Sequence, residues 1–396
     1  MSQLGPRDAA GLLVGHLDLE PTDNGVRPLR LPRSVRWQEP VGPTSWAASC
    51  TTGVRLRTRT AATRLTLTVR TTRMVEENTD PRDHPASFAA LVDDAPAGRV
   101  DVHTGDVVWL DRTRQLRQGP GEPPAIRLEP GAAEEVRFEL GPAPLGEERL
   151  VEVWFPHTAQ VELLGAAADA PLHPVTEPVG RRWIHHGSSI SHCLEADGPL
   201  DPWPHQAARE LGLDLTSLAL AASALIDQFT ARAIRDRPAE VISLKLGINV
   251  VDSAGLRTRT FLPAVHGFLD TIRDGHPTTP IVLISAVACP IVENVPGPTA
   301  RDAAGAVRAQ HPDEATRLGE LTLTRTRELL HQAAQQRAAE DPHLHYVDGL
   351  DLFGPADAHH LTDNLHPDPA GYDLIARRFS ALVRERPALA AAFGRS

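Results

Sequence analysis

The spacing of apolar residues changes once, near the middle of the chain, and that change limits the folds available to it. Across residues 35–164 apolar and polar residues tend to alternate, as in Val54-Arg55-Leu56-Arg57, Leu65-Thr66-Leu67-Thr68-Val69, Val136-Arg137-Phe138-Glu139-Leu140 and Val151-Glu152-Val153-Trp154. A period of two places successive side chains on opposite faces, the pattern of half-buried strands. Turn signals at His103-Thr104-Gly105-Asp106, Gly119-Pro120-Gly121 and Pro130-Gly131 interrupt these runs. They predict an antiparallel β-sandwich, jelly-roll-like, of about seven to nine strands. The proline-containing stretch from Ala170 to Pro178 ends the pattern. Beyond it, residues 183–186, 215–220, 241–246 and 281–287 read as strands. The last two are apolar runs of the kind found in a parallel sheet covered on both faces. Residues 204–211 and 315–340 read as helices, the second despite Gly319. Strands alternating with helices predict an α/β unit, a three-layer α/β/α sandwich around a parallel sheet. The expected division is a β-sandwich over residues 1–170, a linker over 171–180 and an α/β domain over 181–396.

Composition narrows the function classes. The 396 residues are 41% hydrophobic and 23% charged, which describes a folded chain. Fifty-one acidic against forty basic residues give a net charge of −11, a repulsive average field for nucleic acid. The longest apolar stretches, around residues 218–226 and 281–292, are short or broken by Pro290, and a helical membrane span needs about 18 residues. With no secretory pattern at the start, a cytoplasmic location is expected. Cys50, Cys193 and Cys289 match neither a disulfide framework nor a zinc spacing and are expected to be buried thiols. Lys245 is the single lysine, arginine supplying every other strong cation; this is a compositional bias and no sign of chemistry.

Two short segments carry chemistry. Gly187-Ser188-Ser189-Ile190-Ser191 stands where an apolar strand ends, and in open parallel sheets ligands bind at the carboxyl ends of strands. Taken alone it reads as an ordinary serine-rich turn. It is not a Gly-x-Ser-x-Gly elbow, because Ser191 occupies the second glycine position. Asp363-Asn364-Leu365-His366-Pro367 precedes a helix expected from Gly371, Tyr372 and residues 374–383. An Asp and a His three apart on a turn can join carboxylate to Nδ1 and leave Nε2 to accept a serine proton. By itself the pair also suits a helix cap and a surface histidine.

In this order and on this alternation, the segments resemble the blocks of the GDSL/SGNH hydrolase superfamily, over about residues 182–383. The resemblance implies a flavodoxin-like α/β/α domain preceded here by an accessory β-sandwich. It implies Ser189 as nucleophile, His366 as base and Asp363 as its carboxylate. Gly247-Ile248-Asn249 matches the third block, making Asn249 an oxyanion donor beside the N–H of Ser189. The second block falls in Leu218-Ala219-Leu220-Ala221-Ala222-Ser223-Ala224, which has no glycine; Ala222 is the match, and positive φ there would be costly. Ser188 stands where the family has Asp, outside the triad. Two-domain members of this kind include carbohydrate and lipid esterases and an acyltransferase subgroup of actinobacterial tetracycline-type polyketide tailoring. The expectation drawn from the resemblance is an acyl-serine enzyme that passes an acyl group from acyl-CoA, as co-substrate, to a hydroxyl of a small natural-product acceptor. An intracellular ester hydrolase and an inert carbohydrate-binding protein are the rivals, and the motifs do not separate hydrolase from transferase.

No bound cofactor, nucleic acid or membrane partner is expected. No metal is expected either, because His185-His186, His343-Leu344-His345 and His359-His360 lack the spacing of a helical zinc site. Trp37, Trp46, Trp109 and Trp154 could stack on sugar rings, but core packing is the reading adopted for most of them.

Overall fold

The computed structural model describes residues 2–39, 43–111, 125–144, 147–302, 304–310 and 319–395. Contacts divide the chain into two compact units: Met1–Arg30, Ser49–Glu177 and Gly198–Leu200 in the first, and Leu31–Ala48, Pro178–Asp197 and Asp201–Ser396 in the second. The main crossing thus lies within the proline-containing stretch, but the division is not a single cut. Residues 31–48 leave the first half of the sequence and fold with the second unit.

In the first unit an eight-stranded and a six-stranded sheet share one apolar core. The strand Arg64–Glu76 shows how the alternation works, with Leu65, Leu67 and Val69 fully buried between more exposed neighbours. The described strands outnumber the seven to nine expected, because pieces such as Leu13–Val14 and His173–Pro174 are too short to show a period. The pairing is also not purely antiparallel, since Arg64–Glu76 runs parallel to Asp106–Leu110. Along Arg55–Thr60 the alternation misleads in a third way: Arg55 and Arg57 are buried too, both bonded to Glu152 at 3.0 and 2.6 Å. Pairing with a carboxylate lets guanidinium groups leave water.

In the second unit five parallel strands, β1 (Arg181–Gly187), β2 (Leu213–Ala219), β3 (Val241–Lys245), β4 (Ile281–Ile284) and β5 (Leu344–Val347), lie in the order β2-β1-β3-β4-β5. This is the doubly wound order whose direction reverses between β1 and β3, where such sheets bind ligands. Both β3 and β4 are buried throughout; β4 is apolar along its length, whereas β3 also buries Ser243, bonded to Trp183 and His185, and Lys245. A core of Trp183, Trp203, Phe379 and Phe393 packs on β1, with the Trp183 and Phe379 rings stacked 5.6 Å apart. The helix expected over 315–340 is observed as Leu323–Arg337, started by the Thr322 side chain accepting from the Arg325 N–H. Gly319 lies ahead of it at φ +79°, and residues 315–318 are outside the described residues. No helix among the described residues is long and apolar enough to cross a membrane.

Candidate active site

Ser189 is the first residue of helix α1 (Ser189–His192), which follows β1 directly. The Ser188 side chain caps this helix by accepting from the Ile190 N–H. Gly187 is required here because a Cβ would overlap the Ser191 side chain. Below the turn, His185 on β1 joins Ser191 Oγ at 2.8 Å and Ser243 Oγ on β3 at 2.7 Å, and the Trp183 indole donates to the same Ser243 oxygen. Burial drives the His185 pKa well down, so the ring is a neutral strut tying α1 to two strands.

His366 and Asp363 lie on the loop that leads into helix α2 of the site, Pro369–Glu385, whose N-terminus the Asp368 carboxylate caps. Asp363 Oδ1 accepts the backbone N–H groups of Leu365 and His366 at 3.0 and 2.7 Å, which closes the turn. Its Oδ2 lies 2.7 Å from His366 Nδ1. A carboxylate can only accept, so Nδ1 carries the proton and Nε2 is left as a base, 2.9 Å from Ser189 Oγ. Burial would lower the His366 pKa, but the Asp363 hydrogen bond and the charges of Glu195 and Asp363 outweigh it and hold the imidazole above its ordinary value. Burial works to raise Asp363, yet the His366 contact and the two backbone donors hold it well below the usual carboxylate range. Asp363 therefore stays charged wherever the imidazole is neutral, which is the condition for a working base.

The other two residues matched to the blocks, Asn249 and Ala222, stand at neighbouring strand ends. Asn249 lies on the short helix Ile248–Asp252 after β3, entered through Gly247 at φ +125°. Its Oδ1 accepts from the Ala224 N–H at 3.0 Å, so its amide NH₂ is the end left to face a ligand. Ala222, after β2, adopts φ +59°, the left-handed conformation that the missing glycine made expensive, and Ile226 in the same loop has φ +65°. Such strain costs about 1 kcal/mol or more per residue and persists only where the surroundings enforce it. Ties on the flanking residues hold it here: Leu220 N–H donates to Gly187 O at 2.8 Å, Thr44 Oγ1 donates to Ser223 Oγ at 2.9 Å, and the Ala224 N–H donates to Asn249.

Sequence reasoning missed three residues. Thr44 belongs to the helix Pro43–Ser49 of the 31–48 excursion, and no periodicity links it to residue 223. Arg301, on a small hairpin of Thr299–Arg301 with Val307–Ala309, places Nη2 2.7 Å from Asp363 Oδ2. Glu195, just past α1, has Oε1 3.7 Å from His366 Nδ1. Only their proximity to the named blocks in space reveals them. The three cysteines are free and buried. Lys245, at the end of β3, is buried and pushed down to about 8 by that burial, which Cys193 opposes. Among the described residues no three His, Cys, Asp or Glu side chains gather as a metal site would need. Of these four tryptophans, Trp154 is core, Trp46 and Trp109 are half-buried, and Trp37 is 79% exposed, so the reading that most of them are core holds for Trp154 alone.

No family model matches the sequence, and no curated protein matches it. Solved structures do. A salicylyl-acyltransferase, SsfX3, from a tetracycline biosynthetic pathway superposes with a TM-score of 0.77 at 26% identity, covering 98% of both chains. A protein named for its likeness to GDSL lipases, from Bacteroides ovatus, gives 0.61 at 15% identity over 96% of this chain and 97% of that one. A family two carbohydrate esterase from Cellvibrio japonicus gives 0.55 at 14% over 98% of each. The last two show the fold alone. All three support the fold that the resemblance implies, and the first of them supports an enzyme.

Proposed function

We propose that this chain is a serine acyl-transfer enzyme of the GDSL/SGNH type, with an acyl-Ser189 intermediate, and that it passes the acyl group from an acyl-CoA thioester to a hydroxyl of a small natural-product acceptor. The hydrogen-bonded line from Asp363 through His366 to Ser189 carries the reading. Ser189 Oγ attacks the thioester carbonyl as its proton passes to His366 Nε2, and Asp363 holds the Nδ1–H of the imidazolium. The tetrahedral oxyanion is met by the N–H groups of Ser189 and Ala222 and by the Asn249 amide. Collapse breaks the carbon–sulfur bond, and the departing thiolate takes the proton from His366. An acceptor hydroxyl then gives its proton to His366, attacks the acyl-serine and restores the Ser189 hydroxyl.

Up to the acyl-serine an esterase would do the same; the two activities part at the second step, where water or an alcohol attacks. The salicylyl-acyltransferase is 26% identical along nearly the whole of both chains, and that supports transfer. A cytoplasmic setting would place acyl-CoA within reach. The test is the partition of acyl label between water and a library of polycyclic and sugar-like alcohols. Slow hydrolysis in buffer with rapid turnover on adding an acceptor is expected. Release to water alone across the library would assign an esterase.

A further inference from the structure

Asp363 cannot supply the whole counter-charge that His366 needs. Its Oδ2 is shared between His366 Nδ1 and the Arg301 guanidinium, each at 2.7 Å, so the carboxylate and its arginine together are close to neutral. A second carboxylate stands on the same side of the ring. Glu195 Oε1 lies 3.7 Å from Nδ1, and its other oxygen, Oε2, accepts a 2.6 Å hydrogen bond from the Tyr372 hydroxyl. Tyr372 is fully buried on the helix that follows His366, whereas Glu195 comes from the turn that follows the nucleophile helix and Cys193 at φ +57°. Glu195 thus bridges the chain segments that carry Ser189 and His366.

We propose that Glu195 is a positioning carboxylate for His366: held by Tyr372, it restores the negative charge that Arg301 takes from Asp363 and stabilises the imidazolium formed as Ser189 is acylated. This rests on the reading of His366 as general base. The charged and titratable groups around the ring are Asp363 on its own loop, Glu195 after α1, Arg301 on the hairpin, Tyr372 on the following helix and Asp252 at the end of the helix carrying Asn249. In the reacting state the ring and its nearest groups, Asp363, Arg301 and Glu195, sum to zero, and without Glu195 that sum is +1; burial shifts Asp252 toward its neutral form. Removing Glu195 therefore disfavours the protonated imidazole, and removing Arg301 favours it.

The experiment follows the second-order rate of covalent labelling of the full chain by an alkyl fluorophosphonate against pH, which reads the Ser189–His366 pair whatever the natural acceptor. In wild type the acid limb should lie above the ordinary histidine value of about 6.5. Glu195→Gln should move that limb down by about half to one pH unit and lower the plateau roughly 3- to 10-fold. Tyr372→Phe should do the same to a smaller degree, and it carries the test should Glu195→Gln not fold. Arg301→Gln should move the limb upward. A folded, labelled Glu195→Gln enzyme with its limb unmoved or raised overturns the proposal for Glu195 alone. Wild type that takes no label, or label that persists in Ser189→Ala, overturns the acyl-serine reading itself.

Discussion

At the scale of single residues, the most consequential is Asn249, because one side chain does two jobs. Its oxygen holds the strained Ala222–Ile226 loop through the Ala224 N–H, and in the proposed mechanism that same bond leaves the NH₂ to meet the oxyanion. Asn249→Ala should lower kcat about 100- to 1000-fold, the usual loss for one such donor. Asn249→Asp keeps the acceptor for Ala224 and puts negative charge where the oxyanion forms, so it should lose at least as much activity with no loss of fold. Steady-state kinetics with circular dichroism checks both. Ser189, His366, Asp363 and Asn249 were legible as residues because short blocks of fixed chemistry sit at strand ends. Glu195, Arg301 and Thr44 were not, because each acts through a contact with a segment far away in sequence or with a turn that has no period.

At the scale of elements, strands β3 and β4 were legible because strands buried on both faces are mainly apolar, and the two polar residues of β3, Ser243 and Lys245, did not hide its run. The apolar run expected over 281–287 nonetheless stops pairing at Ile284, since hydrophobicity continues into the buried loop Ala286–Cys289. The excursion 31–48 was hidden for the opposite reason: its two short helices, Arg33–Arg36 and Pro43–Ser49, are shorter than the window in which a helical period can show. It nonetheless fills part of the second unit, where Thr44 is buried and bonded to Ser223, the neighbour of Ala222. Thr44→Val removes that bond without changing shape and should cost about 1 kcal/mol of stability. Because the loop it braces is strained, kcat should fall while KM stays near its wild-type value. Urea unfolding and initial-rate kinetics read the two effects, and an unchanged kcat in a destabilised variant would confine Thr44 to packing.

At the scale of the whole molecule, the doubly wound order β2-β1-β3-β4-β5 delivers Ser189 after β1, Ala222 after β2 and Asn249 after β3 to adjoining strand ends, and the loop before the last long helix brings His366 to Ser189. That assembly is what the block order along the sequence encodes, and the sandwich of the first unit contributes none of the named groups. The central claim is therefore that an acyl group passes through Ser189. Intact-protein mass spectrometry after mixing the full chain with a panel of acyl-CoA thioesters and simple activated esters tests it most directly. The account predicts a mass increase equal to one acyl group, mapped to Ser189, absent from Ser189→Ala and discharged when a suitable alcohol is added. Turnover of any of these donors by Ser189→Ala at the wild-type rate, or an adduct mapped to another residue, would contradict it.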